Sequence, residues 1–298
     1  MKCEFEEKSF EAAFNTELTR RTNLFFAPGQ CAEGWLGFDF SLYLDDPILW
    51  ELFVYIRRRR RTRRGIGITL QEMEGWLDDA VRRAPDIKHN LFIQYKRSDY
   101  LKGPRAKERS SWSKPYYRYK ITSHQHKLLK DISKNANGRA AVVYAAPAFY
   151  KSKTLYQLQI SAKIIESSNI ADVGLIGMSH KHFTFDSAGN FGKGHSKPED
   201  VESPSFDNII EKISSSQPQP FIQHIKELGA LINESVSDSI YDKKLWKLAK
   251  KAALQSVFYY LGDDQDIAEI ENGVIGAIIS ISAFSQLTGS NISLILNK

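Results

Sequence analysis

Three polar residues in the N-terminal third of the chain have types and a spacing that suit metal-dependent hydrolysis of a phosphodiester. Asp39 lies in an aromatic-rich stretch of strand character, and Gln94 and Lys96 lie two residues apart in a second such stretch. Because side chains alternate between the two faces of a strand, Gln94 and Lys96 should point in the same direction. A carboxylate and a carbonyl oxygen can hold Mg²⁺ or Mn²⁺, and a neighbouring lysine can stabilise the charge that develops on a phosphate.

A longer pattern surrounds these three residues, because Glu17 and Glu33 precede Asp39 in the sequence. The ordered set resembles the PD-(D/E)XK nuclease superfamily through Glu17, Glu33, Gly37-Phe38-Asp39 and Phe92-Ile93-Gln94-Tyr95-Lys96. The resemblance covers about the first 150 residues. It is greatest to the branches in which glutamine replaces the second acid, as in many methylation-dependent restriction enzymes and anti-phage effectors.

The resemblance implies a restriction-endonuclease-like fold with an αβββαβ sandwich core, and DNA cleavage in restriction or phage defence. Asp39 would be the main metal ligand, Gln94 would lend its carbonyl oxygen to the same Mg²⁺ or Mn²⁺, and Lys96 would be the catalytic lysine. Glu33 would be a further metal ligand, and Glu17 would be an acidic catalytic residue contributed by the first helix.

Further residues near the motif could contact the substrate. Gln125 and His126 begin the helix that follows the lysine strand, and the resemblance implies that they border the site and contact phosphate. The resemblance also implies that residues 47–89 are an insertion, because about fifty residues separate Asp39 from Gln94.

An unusual run of arginines lies inside that segment and reads RRRRRTRR. Guanidinium groups bind phosphate through paired hydrogen bonds, and each contact releases counterions. An exposed loop, or one that docks on an acidic partner, would also accommodate the run. We expect contacts to the backbone of DNA, or alternatively RNA, from Arg97 and from Arg57, Arg58, Arg59, Arg60, Arg61, Arg63 and Arg64.

Each of these residues also has an ordinary interpretation. Asp39 could initiate a turn, and Gln94 and Lys96 could line the solvated face of a strand. The basic-aromatic stretch 112–120 could stack nucleic-acid bases, although packing into the core is the favoured interpretation. The histidine pair His180 and His182 has a metal-binding spacing but no third ligand nearby in the sequence, which favours core or surface histidines.

Hydrophobic periodicity predicts the α/β class with two domains. The nuclease-like domain would span residues 1–205 and a helical domain residues 206–298, with a boundary in the Gly-, Ser- and Pro-rich stretch 187–204. Helices are predicted over residues 10–21, 70–83, 124–132, 154–166, 221–236, 243–261 and 267–284. Strands are predicted over residues 36–44, 90–96, 116–121, 140–150, 173–178 and 182–185.

Composition limits the environment in which the protein works. The net charge of +6 is compatible with a polyanionic partner. Two cysteines cannot build a disulfide framework, and the acidic N-terminus has no apolar signal core, so we expect a cytoplasmic protein. The apolar stretch 273–284 is too short to span a membrane. The C-terminal segment 273–296 would pack on itself, on a second copy or on a partner subunit.

Three functions are therefore open from the sequence. The first is a metal-dependent nuclease acting on DNA. The second is a catalytically inactive nuclease fold that binds nucleic acid, and the third is a structural or regulatory subunit of a defence complex. Loss of cleavage in Lys96→Ala with retained binding would distinguish the first from the others.

Overall fold

A computed structural model describes residues 1–21, 26–27, 41–42, 86–215, 217–237, 244–251, 253 and 273–296. The chain is mixed α/β, as its periodicity predicts. It divides into two compact units that are interleaved along the sequence. The first comprises Met1–Phe25, His89–Ser216 and Thr288–Ile295, and the second comprises Phe26–Lys88, Gln217–Leu287 and Leu296–Lys298.

Within the described residues, six helices and eleven strands have defined bounds. The helices are α1 (Glu7–Arg21), α2 (Ser123–Asn135), α3 (Ser152–Ile160), α4 (Phe206–Ser214), α5 (Phe221–Ser237) and α6 (Val274–Thr288). The strands are β1 (Phe26–Ala27), β2 (Ser41–Leu42), β3 (Ile87–Tyr95), β4 (Asp99–Leu101), β5 (Tyr116–Lys120), β6 (Ala140–Pro147), β7 (Ser168–Asp172), β8 (His182–Phe185), β9 (Phe191–His195), β10 (Glu199–Glu202) and β11 (Ser290–Leu296).

A four-stranded sheet with the order β11-β3-β6-β7 forms the centre of the first unit. Strands β3 and β6 are parallel, with Gln94 in register with Tyr144, and helix α2 lies between them in the chain. Parallel neighbours require such a crossover connection. Strand β7 then adds antiparallel to β6.

The two faces of this sheet carry different residues, because alternate side chains of β3 point in opposite directions. On one face, Leu91, Ile93 and Tyr95 join the buried cluster that also contains Phe10 and Phe14 of α1. The rings of Phe10 and Phe14 meet Tyr95 edge to face, at centroid distances of 5.8 and 5.4 Å. The other face carries Gln94 and Tyr144, whose side chains bond to α2.

A five-stranded antiparallel sheet with the order β10-β9-β8-β5-β4 completes the first unit. Its inner face is aromatic, and Tyr119 stacks on Phe183 at 5.3 Å and contacts Tyr144 of the central sheet at 5.7 Å. Gly192 is needed on this face, because a Cβ atom there would lie 2.3 Å from the Phe183 ring. The two sheets therefore share a core.

The second unit contains the β1-β2 pair and the helices α5 and α6. Helix α5 approaches α6 closely at Gly229, where a Cβ atom would lie 2.6 Å from the Ala277 Cβ. Buried side chains of α6 include Ile275, Ile279 and Phe284. The apolar stretch 273–284 is therefore buried within the protein itself. Within the described part of the chain, no helix has the length and apolarity needed to cross a bilayer.

Most elements predicted within the described residues are found near their expected positions, whereas β4, β9, β10, β11 and α4 are additional to those predicted. The predicted strand 173–178 is wrong, because β7 ends at Asp172 and a 3₁₀ turn follows over Val173–Leu175. The Asp172 carboxylate accepts a hydrogen bond from the Gly174 N–H at 2.7 Å, which favours the turn over a strand. The stretch 187–204, predicted as a boundary, instead contains the paired strands β9 and β10.

Candidate active site

Gln94 and Lys96 lie at the carboxyl end of β3, next to the parallel strand β6. The Lys96 N–H still donates to the Ala145 carbonyl at 2.9 Å, so the backbone at residue 96 continues the pairing with β6. The side chains of both residues approach the Tyr144 face of the sheet, whereas Tyr95 between them is buried against α1. This is the arrangement that strand alternation predicts for a glutamine and a lysine two residues apart.

Gln94 is held by its amide nitrogen. The Nε2 atom donates to Gln125 Oε1 at 3.1 Å and to the carbonyl of Thr288. Gly289 follows in a left-handed conformation with φ +62°, which brings this carbonyl into the turn between α6 and β11. The Gln94 Oε1 atom is buried and has no hydrogen-bond partner in the described part of the chain. An unsatisfied buried acceptor is costly, so this oxygen is suited to a ligand.

Lys96 is a buried cation, with 8% of the residue exposed. Burial lowers the pKa of its amine from 10.5 to about 8, and the nearby Glu7 carboxylate partly opposes that decrease. The Nζ atom lies 5.3 Å from the centre of the Tyr144 ring. An aromatic face attracts a cation, which offsets part of the cost of removing the amine from water.

His126 and Tyr144 form a buried pair behind these residues. Nδ1 of His126 lies 3.0 Å from the Tyr144 hydroxyl, and Nε2 lies 3.2 Å from the Ile176 carbonyl. Burial lowers the pKa of His126 to about 4, so the ring is neutral near pH 7. Both ring nitrogens are engaged inside the protein, and His126 therefore supports Tyr144, whereas Gln125 contacts Gln94 directly.

The glutamate of α1 that approaches Lys96 is Glu7, which sequence reasoning missed. Its carboxylate accepts a hydrogen bond from the Arg97 N–H at 3.0 Å. Burial raises the pKa of Glu7, and the charge of Lys96 opposes that rise. The predicted residue, Glu17, is buried about 15 Å further along the helix and accepts hydrogen bonds from the backbone of Ile164 and Ile165 at 2.6 and 3.3 Å.

Arg97 lies next to Lys96 at the edge of the site. Its guanidinium donates to Glu6 Oε2 at 3.2 Å, and 35% of its side chain is exposed. An exposed ion pair of this kind is weak, so the guanidinium can exchange Glu6 for a phosphate at little cost.

Several predicted site residues lie outside the described residues. They are Asp39, Glu33, Arg57, Arg58, Arg59, Arg60, Arg61, Arg63 and Arg64. The strands on either side of β3 are β11 and β6, so no described strand of residues 36–44 lies beside it. The described part of the predicted Asp39 strand, β2, pairs with β1 instead.

The described part of the chain contains no group of three or more His, Cys, Asp or Glu side chains that could hold a metal ion. A neutral carbonyl oxygen such as Gln94 Oε1 is a suitable single ligand for Mg²⁺, and carboxylates would have to complete the set. The histidine pair has other partners: His180 Nε2 lies 2.8 Å from Glu199 Oε2, and His182 lies opposite Lys120 on the antiparallel sheet.

Comparison of the chain with protein-family models, with curated proteins and with solved structures gave no match. Its function is therefore inferred from the chemistry of its own residues.

Proposed function

We propose that this protein is a metal-dependent nuclease that hydrolyses phosphodiester bonds of DNA, with Lys96 and Gln94 at its active site. The observation that carries the proposal is the pairing of a buried lysine with a buried, unpartnered amide oxygen at the carboxyl end of one strand. A solvated strand face would expose both side chains to water. Here burial lowers the pKa of the Lys96 amine to about 8, and perturbed groups of this kind cluster at functional sites.

Lys96 would act as the cation that meets the scissile phosphate. With a pKa of about 8, most of its amine groups carry a proton at pH 7. Its charge acts in a poorly solvated position, where electrostatic interactions are stronger than in water. Tyr144 fixes the ammonium group 5.3 Å from its ring, and a preorganised charge loses little free energy when the transition state forms.

Gln94 would hold the metal through Oε1, together with the carboxylates of Asp39 and Glu33. A bound Mg²⁺ or Mn²⁺ supplies polarisation of the phosphate and a lowered pKa for an attacking water. The hydrogen bonds of Gln94 Nε2 to Gln125 and Thr288 leave the oxygen, and not the nitrogen, available to a cation. Among the described residues Oε1 has no hydrogen-bond partner, which supports this orientation of the Gln94 amide towards a cation.

Cleavage of plasmid DNA by the full chain tests the proposal. We expect cleavage with Mg²⁺ or Mn²⁺, none with EDTA, and a loss of at least about a hundredfold in Lys96→Met, which keeps the length of the side chain but removes its charge. Lys153→Met is the matched control, because Lys153 is an exposed lysine of α3. Binding of DNA without cleavage under either metal would support the catalytically inactive alternative.

A further inference from the structure

One face of the five-stranded sheet carries polar and charged side chains brought together by the strand register. Arg118 and Lys120 of β5 lie opposite Thr184 and His182 of β8. Lys193 of β9 in turn lies opposite Thr184. Alternation places these residues on the face opposite Tyr119 and Phe183. We define the basic face as Arg118, Lys120, His182, Phe191 and Lys193, together with Lys107 of the β4–β5 connection, whose charge acts on His182.

Positive charge exceeds negative charge on the basic face. Glu108 pairs with Arg118 at 3.1 Å and Asp200 pairs with Lys193, while Glu202 of β10 lies opposite Phe191. These three acids face four cations, Lys107, Arg118, Lys120 and Lys193, which leaves one excess positive charge. Burial lowers the pKa of His182, and the charges of Arg118, Lys107 and Lys120 lower it further against the opposing effect of Glu108. A field that repels a proton attracts the phosphate groups of a nucleic acid.

An aromatic ring lies at the rim of the same face. Phe191 is 40% exposed, although most large apolar side chains of this unit are buried. Its ring meets Trp112 edge to face at 6.3 Å, and Lys193 Nζ lies 5.6 Å from its centre. An exposed ring beside a cation is the combination that stacks an unpaired base and contacts its phosphate.

We propose that the basic face binds single-stranded nucleic acid, with one base stacked on Phe191 and the backbone along Lys120, His182 and Lys193. A duplex keeps its base faces stacked inside, and an acidic polypeptide has no planar base for Phe191. The surface shares no residue with the Gln94 and Lys96 site. It therefore remains a binding surface even if the protein has no nuclease activity.

Binding in EDTA separates this inference from cleavage. The full chain is titrated into a fluorescein-labelled oligodeoxythymidylate, with oligouridylate, duplex DNA and polyglutamate as parallel probes. We expect both single strands to bind more tightly than the duplex and polyglutamate not to compete. The ratio between the two single strands distinguishes DNA from RNA as the preferred polymer.

Substitutions on the basic face provide the decisive comparison. Phe191→Ala should weaken single-strand binding about tenfold, since stacking of one base is lost. Phe191→Leu keeps the apolar volume that packs on Trp112 and should weaken binding similarly. Lys120→Ala should reduce the slope of log affinity against log salt concentration by about 0.7. Tyr156→Ala and Lys153→Ala, at exposed positions of α3, should leave binding unchanged.

Three results would overturn the inference. The first is no binding of either single strand by the wild-type protein. The second is unchanged affinity in Phe191→Leu and Lys120→Ala, with both variants folded as judged by circular dichroism. The third is duplex or polyglutamate binding as tight as that of the single strands.

Discussion

The Nζ atom of Lys96 lies 5.3 Å from the centre of the Tyr144 ring, and Tyr144 is in register with Gln94 on the neighbouring parallel strand. The lysine, the tyrosine and the glutamine therefore form a cluster on one sheet face. His126 fixes the tyrosine from behind through a 3.0 Å hydrogen bond. A cation held by packed neighbours has a defined position, which is what recognition of a scissile phosphate requires.

The protonation state of Lys96 should control activity at alkaline pH. Its pKa is about 8, and the proposed role requires the cationic form, so cleavage should fall as the pH rises through 8. Lys96→Arg keeps a charge at every accessible pH, because guanidinium groups have a pKa above 12. We expect a lower rate in this variant at pH 7 but no decline between pH 7 and pH 9. A decline of equal size in both proteins would contradict a cationic role for Lys96.

Glu7 should tune this pH dependence. Its carboxylate raises the pKa of Lys96 against the effect of burial, so Glu7→Gln should lower that pKa further. The alkaline loss of cleavage should then begin at a lower pH than in the wild type. Glu6→Gln is the matched control, because Glu6 is exposed and pairs with Arg97. An equal shift of the pH dependence of cleavage in both variants would show that the effect is not specific to Glu7.

His126 should make the protein sensitive to acid. Burial depresses its pKa to about 4, whereas the unfolded chain has a value near 6.5, so the unfolded state binds a proton first. The stability that the neutral ring contributes is therefore present above pH 6.5 and is lost as the pH falls towards 4. The free energy of unfolding, measured with urea at pH 7 and at pH 4.5, should fall on acidification in the wild type. This fall should be roughly 2–3 kcal/mol larger than in His126→Gln. The same decrease in both proteins would contradict this role.

Glu17 should matter for stability and not for chemistry. Its carboxylate accepts the N–H groups of Ile164 and Ile165 in a buried position. Glu17→Ala leaves both donors without this acceptor and should destabilise the fold by roughly 1–3 kcal/mol. Cleavage per folded molecule should stay within about twofold of wild type, since ΔΔG‡ would be below about 0.5 kcal/mol. Strong loss of cleavage in a fully folded variant would restore the catalytic role that the resemblance implies for Glu17.

Local patterns made part of this architecture predictable. The run around Gln94 alternates between residues that pack on α1 and residues that face α2, and this alternation predicts both the strand and the shared face of Gln94 and Lys96. Helical spacing likewise predicts the helix of residues 10–21, because Phe10, Phe14 and Leu18 recur at that spacing. Helix α1 confirms it, with these three residues on its buried side.

Other features of the fold and the site could not be predicted, because they depend on pairing between residues that are far apart in the sequence. Strand β11 occupies one edge of β3, and Gln94 bonds to Thr288 across 194 positions of the sequence. Partner choice over such a separation depends on the packing of the whole unit, and no local pattern specifies it. The glutamates of α1 are a second example. Which of Glu7 and Glu17 approaches Lys96 depends on how the helix docks on the sheet, and their sequence contexts do not distinguish them.

Metal location in a crystal tests the central claim most directly. Crystals of the full chain would be soaked with Mn²⁺, and the anomalous density would be located relative to Gln94. The proposal predicts density about 2.1 Å from both Gln94 Oε1 and an Asp39 carboxylate oxygen, with Lys96 Nζ beside the same position. An Asp39 carboxylate on the opposite sheet face, or more than about 10 Å from Gln94 Oε1, could not share an ion with it at ligand distances near 2 Å and would contradict the account.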